Sequence, residues 1–193
     1  DDIEWFWDAA IKDIDIAFYR HYDRVVDLSN GKPWATWWIG ARMNIVQSCL
    51  DRHRDSEFHD KLALIWEGEP GDVRRMTYGE LDGEVCRLAG ALRRLGVRSG
   101  DRVGIFMPMC PEVAISVLAT VKIGAVIIPI FSGYGAEAIA TRLQDAEAKV
   151  LICADGFYRR GQVVPMKETA DRALVTSPTV TKVLGQRRVV ARI

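Results

Sequence analysis

The sequence lacks most of the features that would place it in a specialised class. No apolar run is long enough to cross a bilayer, and no N-terminal stretch is patterned as a secretory leader. The four cysteines, Cys49, Cys86, Cys110 and Cys153, lie far apart and form no CxxC pair, so reduced thiols within the core are expected. Histidine is scarce, and His53 and His59 have no partners at metal-ligand spacing. Net charge is +0, which gives no overall pull toward nucleic acid or an anionic membrane. There is no internal repeat and no low-complexity tract. These absences leave an ordinary soluble, cytoplasmic globular protein as the expectation.

What is present is long enough for one substantial core, burying roughly 70% of the unfolded surface. Charge is unevenly spread: residues 156–193 hold eight Lys or Arg against two acids. The stretch from Gly100 to Gly161 organises the rest. Arg102–Met107 (RVGIFM), Ala125–Ile130 (AVIIPI) and Lys149–Cys153 (KVLIC) are mostly apolar runs of strand length. Between them, Pro111 opens one helical segment at a position where its missing N–H does no harm, and Gly135–Ala146 is helical in composition. Near-continuous apolar strands alternating with amphipathic helices predict the fold class α/β, a parallel βαβαβ sheet covered by helices. Right-handed crossovers bring the strand ends to one edge, where open α/β sheets hold ligands. That edge carries Pro108–Pro111, Phe131–Gly135 and Asp155–Gly161, the last read as a short basic turn.

Asp1–Tyr22 carries Trp5, Phe6, Trp7, Phe18, Tyr19 and Tyr22 among acids, an arm expected as one or two amphipathic helices anchored by packing. Arg24–Leu28 reads as a short strand and Asn44–His53 as a helix. Next, Leu62–Trp66 and Arg75–Tyr78 are strands joined by the turn-rich Gly68-Glu69-Pro70-Gly71-Asp72. Thr77 with Glu80 three residues later is a capping box, opening a helix that Gly96 ends. Pro108 and Glu112 are expected only to shape and cap the following helix. A nicotinamide-dependent enzyme would fit the βαβ pattern but needs a G-x-G-x-x-G turn after its first strand, which is absent.

An ordered series of motifs carries a family resemblance. It comprises Trp37-Trp38-Ile39-Gly40-Ala41-Arg42-Met43-Asn44, Cys49-Leu50-Asp51-Arg52-His53 and Leu64-Ile65-Trp66-Glu67-Gly68. Thr77-Tyr78-Gly79-Glu80-Leu81, the run Gly96 to Val103, Met107 to Glu112, Lys122-Ile123-Gly124-Ala125 and Phe131-Ser132-Gly133-Tyr134 complete it. In this order they resemble the N-terminal part of AMP-forming acyl-CoA synthetases of the adenylate-forming superfamily, most closely the acetyl-CoA synthetase branch. The resemblance implies an N-terminal arm over 1–55 and the first part of an AMP-binding domain over 56–193, an incomplete piece of a larger two-domain ligase. It implies ATP and CoA as substrates with a short carboxylic acid, Mg2+ as the accompanying ion, no nucleic-acid or membrane partner, and leaves homo-oligomerisation open.

The resemblance also names site residues. Arg159-Arg160-Gly161-Gln162 aligns with the family's Arg-x-Gly-Arg turn that contacts CoA phosphates, with Gln162 where the second arginine is usual and Arg160 as its possible substitute. Phe131-Ser132-Gly133-Tyr134 aligns with a Phe-Gly-Gly-Phe loop lining the CoA channel, with Ser132 for a glycine. The CoA-binding set is therefore Phe131, Gly133, Arg159, Arg160 and Gly161, and no catalytic or metal residue is assigned. The Ser/Thr/Gly-rich phosphate loop ending in Pro-Lys and the adenylation lysine of the family have no counterpart here, so this stretch alone is expected to be inactive. The alternative is a non-catalytic docking or CoA-binding module.

Overall fold

A computed structural model describes residues 2–189. The chain divides into two compact units, Asp1–Arg52 and His53–Ile193. In the first, helix α1 (Ile3–Asp13) starts where the Asp2 carboxylate accepts the Trp5 N–H at 2.9 Å. It ends before Asp15, whose φ of 51° leaves helical space, so the chain from Ile14 to Tyr22 is not a second helix. That stretch instead reaches an isolated antiparallel bridge between Arg20 and Arg42. Strands β1 (Arg24–Asp27) and β2 (Thr36–Ile39) pair antiparallel, with Val26 opposite Trp37. Trp7 meets Trp37 and Trp38 edge-on, at 5.6 and 6.0 Å between ring centroids, which is where part of the arm's aromatic surface goes. Asn44 caps the start of helix α2 by accepting the Val46 N–H at 3.0 Å, and the helix is shorter than the sequence suggests, Ile45–Cys49, because Leu50 leaves helical space before a 3-10 turn at Asp51–His53.

The second unit opens with the expected hairpin, β3 (Leu62–Glu67) against β4 (Val73–Thr77). Both halves of the capping box then form at the start of α3 (Tyr78–Arg94): Glu80 N–H donates to Thr77 Oγ1 at 3.2 Å, and Thr77 N–H to the Glu80 carboxylate at 2.8 Å. The βαβαβ core follows as β5 (Arg102–Phe106), α4 (Pro111–Lys122), β6 (Val126–Ile130), α5 (Ala136–Asp145) and β7 (Val150–Ala154). All pairings in this sheet are parallel, with Val103 opposite Ile127 on one side and Val150 on the other. Every residue of β7 is buried, as are Val103, Ile105 and Phe106, each large side chain contributing about 1.5–3 kcal/mol. Gly104 is required by close approach, since a Cβ there would lie 2.7 Å from Leu143 Cδ2 of α5.

Three features were not expected from the sequence. The basic turn is a β-ribbon, β8 (Gly156–Arg159) antiparallel to β9 (Gln162–Pro165). A helix, α6 (Lys167–Leu174), then leads to a fourth parallel strand, β10 (Lys182–Gln186), which pairs with β7. The sheet order is therefore β10-β7-β5-β6. The chain steps one way from β5 to β6 and back past β5 to β7, so right-handed crossovers put α4 and α5 on opposite faces. Packing agrees: α3 lies against α4, and α5 against α6. The reversal of direction between β5 and β7 is the place where an open α/β sheet leaves a crevice at its carboxyl edge. The thiols also divide differently from expectation. Cys110 and Cys153 are buried, but Cys49 and Cys86 are exposed, because each falls on the outward face of a short or amphipathic helix.

Candidate functional site

The carboxyl ends of β5, β6, β7 and β10 all open toward one cleft of about 360 Å³. Pro108 and Met109 enter it after β5, Phe131 and Ser132 after β6, Phe157 to Arg159 on β8, and Arg188 after β10. Its remaining wall is the β3–β4 connection, from Trp66 to Asp72. Phe131 is 61% exposed, too open for a core residue, and it meets Tyr134 edge-on at 5.5 Å. Tyr134 is held in turn by Arg142, whose guanidinium lies 4.2 Å over its ring and donates to its Oη at 3.2 Å. Gly133 sits beneath the Phe131 ring, where a Cβ would be 2.6 Å from Phe131 Cε1.

Arg159 faces the cleft, whereas Arg160 and Gly161 form the tip of the ribbon. Their φ angles are 53° and 73°, both left-handed, the pattern of a two-residue turn whose twist matches its strands. Glycine suits the second position; arginine at the first is unusual and needs compensation. It comes from Glu69, whose carboxylate accepts the Arg160 N–H at 2.9 Å and the Gly161 N–H at 2.5 Å. In the sequence, Glu69 reads only as part of a turn.

Two further wall residues had no clear signal in the sequence. Trp66 donates its indole N–H to the Met109 carbonyl at 2.8 Å, tying β3 to the end of β5. Arg188 lies 4.8 Å over the Trp66 ring and donates to Glu112 at 2.8 Å, while Arg74 donates to the other Glu112 oxygen at 2.6 Å. Glu112 is therefore more than a helix-capping acid: it holds an arginine from β4 and one from beyond β10. Asp155 closes the edge, its carboxylate accepting the N–H groups of Gly156 at 2.8 Å and Arg188 at 2.7 Å.

The site offers arginine cations and aromatic faces, a chemistry suited to a phosphorylated, flat-ringed ligand. It offers no activated nucleophile. Burial pushes the Cys110 and Cys153 thiols up to about 11, which keeps both protonated at neutral pH. Among the described residues no group of three or more His, Cys, Asp or Glu could hold a metal ion. For the Mg2+ implied by the resemblance, the described residues thus supply no ready-made set of three protein ligands.

Residues 51–191 match the family model for AMP-binding enzymes, and residues 1–49 the model for the acetyl-coenzyme A synthetase N-terminus. The chain belongs to the AMP-binding enzyme family. Within that family it is 42% identical to an acetyl-coenzyme A synthetase of Mycolicibacterium smegmatis, over 95% of this chain and 19% of that protein. It is 44% identical to the Deinococcus radiodurans acetyl-coenzyme A synthetase, over 95% of this chain and 28% of the relative. Among solved structures, acetoacetyl-CoA synthetase from Streptomyces lividans superposes with a TM-score of 0.89 at 29% identity, covering 99% of this chain and 29% of its own. The chain thus spans about a fifth to under a third of the length of these AMP-binding enzymes. Its mixed α/β architecture with a parallel sheet is the one that the alternation of apolar strands and helices predicts. Among the described residues no helix is long and apolar enough to cross a membrane.

Proposed function

We propose that this chain works as the N-terminal part of an ATP-dependent acyl-CoA synthetase, and that the cleft receives the nucleotide end of CoA. Residues 1–55 would be its arm and 56–193 the first part of its adenylation domain. In the reaction a short carboxylate attacks the α-phosphorus of ATP, a P–O bond breaks, and pyrophosphate leaves from an acyl-adenylate. The CoA thiolate then attacks the acyl carbon, a C–S bond forms, and AMP departs with the electrons of the broken C–O bond. Adenylation thereby converts a poor leaving group into a good one. The residues of this chain enter in the second half only, by binding CoA.

Arg159 would pair with a CoA phosphate, its planar guanidinium matching the oxygens in a forked geometry. Phe131 offers an exposed ring to the ligand, and Gly133 lets that ring lie close to its loop. Arg160 and Gly161 shape the turn that carries Arg159, with Arg160 replacing some of the charge lost at Gln162. The observation that carries the reading is that Phe131 and Arg159, from separate strand ends, line one cleft at the sheet's switch point. Adenylation is not assigned to this chain, which has no phosphate-gripping loop of the family pattern.

Calorimetric titration with CoA and with 3′-dephospho-CoA tests it. CoA is expected to bind more tightly than the dephospho form, and Arg159→Ala to weaken CoA binding by about tenfold, the size of one charge-assisted phosphate contact. Equal affinity of parent and Arg159→Ala for CoA would refute the assignment.

A further inference from the structure

We infer that Glu69 is the positioning residue of this cleft: by clamping the tip of the β8–β9 ribbon it sets where Arg159 presents its guanidinium. The ribbon is a separate two-stranded sheet, unpaired with the main one. Such ribbons are marginal on their own, and this one has a left-handed non-glycine residue at its tip. What holds the tip is a carboxylate from the far side of the cleft, accepting two consecutive backbone N–H groups.

Glu69 can do this because its own loop is ordered. Gly68 N–H donates to the Asp72 carbonyl at 2.7 Å and Gly71 N–H to the Gly68 carbonyl at 2.9 Å, closing a tight turn around Glu69 and Pro70. Trp66, on the adjoining strand β3, is pinned to Met109 just past the end of β5. A continuous path therefore runs from the sheet edge through Trp66 and the β3–β4 loop to Glu69, then across to Arg160 and Gly161. Arg159 is the next residue along, and β-pairing opposite Gln162 passes the tip's position directly to it. Glu69 touches no phosphate in this scheme; it acts through the hairpin.

The ligand arm of the test rests on the CoA reading above, and the backbone arm does not. Amide hydrogen exchange of Arg160 and Gly161 is measured by NMR in the chain and in Glu69→Ala and Glu69→Gln. Protection of both amides is expected in the parent, loss of both in Glu69→Ala, and partial retention in Glu69→Gln, which keeps one carbonyl acceptor. The preference for CoA over 3′-dephospho-CoA is expected to fall about tenfold in Glu69→Ala and less in Glu69→Gln. The melting temperature should change little, because Glu69 is exposed. Unprotected amides in the parent would overturn the inference. So would an unchanged or increased CoA preference in Glu69→Ala, since the carboxylate would then be an idle or competing occupant of the tip. If the parent shows no preference between CoA and its dephospho form, the CoA reading falls, and the exchange data alone decide the role of Glu69.

Discussion

Asp82 is the carboxylate on which the second unit's stability should depend most visibly. It sits on α3 at 7% exposure and receives Arg54 through two nitrogens, Nε at 2.7 Å and Nη2 at 3.0 Å. Lys122 of α4 approaches at 3.4 Å and the Cys86 thiol donates at 3.5 Å. Asp82→Asn keeps the shape but removes the charge these donors surround. Breaking a fully buried pair costs about 3–5 kcal/mol, but the Arg54 side chain is 48% exposed and can turn to water. The expected loss is therefore about 2–3 kcal/mol, or a drop of roughly 4–12 °C in Tm for a unit of this size. Arg54, then Lys122, holds the Asp82 carboxyl below its ordinary pKa despite the opposing effect of burial. Its folded pKa lies below the unfolded one, so the unfolded state takes up the proton first. The contribution is thus complete above about pH 4 and fades as pH falls through the folded value. Thermal unfolding followed by circular dichroism at pH 7 and at pH 3 should show the variant's deficit shrink in acid. A deficit below about 0.5 kcal/mol at pH 7 would refute the argument, as would one that stayed the same at pH 3.

Two other predictions rest on packing. Gly104→Ala should destabilise by about 1–3 kcal/mol, because its Cβ would meet Leu143 at 2.7 Å and Leu151 at 3.1 Å; a melting curve superposable on the parent's would contradict this. A thiol reagent at pH 8 should modify Cys49 and Cys86 in the folded chain and reach Cys110 and Cys153 only after denaturation, with mass spectrometry locating the labels.

The parts of the fold legible in the sequence were those in which one strong local signal agreed with the global arrangement. β5 and β7 are apolar because both faces of their sheet are covered, β6 is apolar although only Ile130 is fully buried, and the Thr77–Glu80 box announces α3. What could not be read has a common cause. β10 (KVLGQ) has no fully buried residue, so its composition does not separate it from a loop. β8 and β9 are short, with most residues partly or wholly exposed, and they read as a turn. Their identity as strands comes from pairing with each other, a tertiary fact that periodicity does not carry.

The same distinction separates the candidate site residues that the sequence yielded from those it hid. Phe131, Gly133, Arg159, Arg160 and Gly161 were reached through motifs, each a local string. Glu69, Trp66, Arg188 and the double role of Glu112 were not, because each matters through a residue at least 38 positions away: Trp66 to Met109, Arg74 to Glu112, Arg160 to Glu69. A cleft at a topological switch point is assembled from strand ends that are remote in sequence, so its wall residues are bound to be invisible one segment at a time. Its lining at this edge divides accordingly. Arg159 and Phe131 line the cleft and, on the proposed reading, would present groups to a ligand, while Glu69, Trp66 and Glu112 spend their polar atoms on the protein itself. Substitution of the first group should change binding, and substitution of the second should change the geometry through which that binding is expressed.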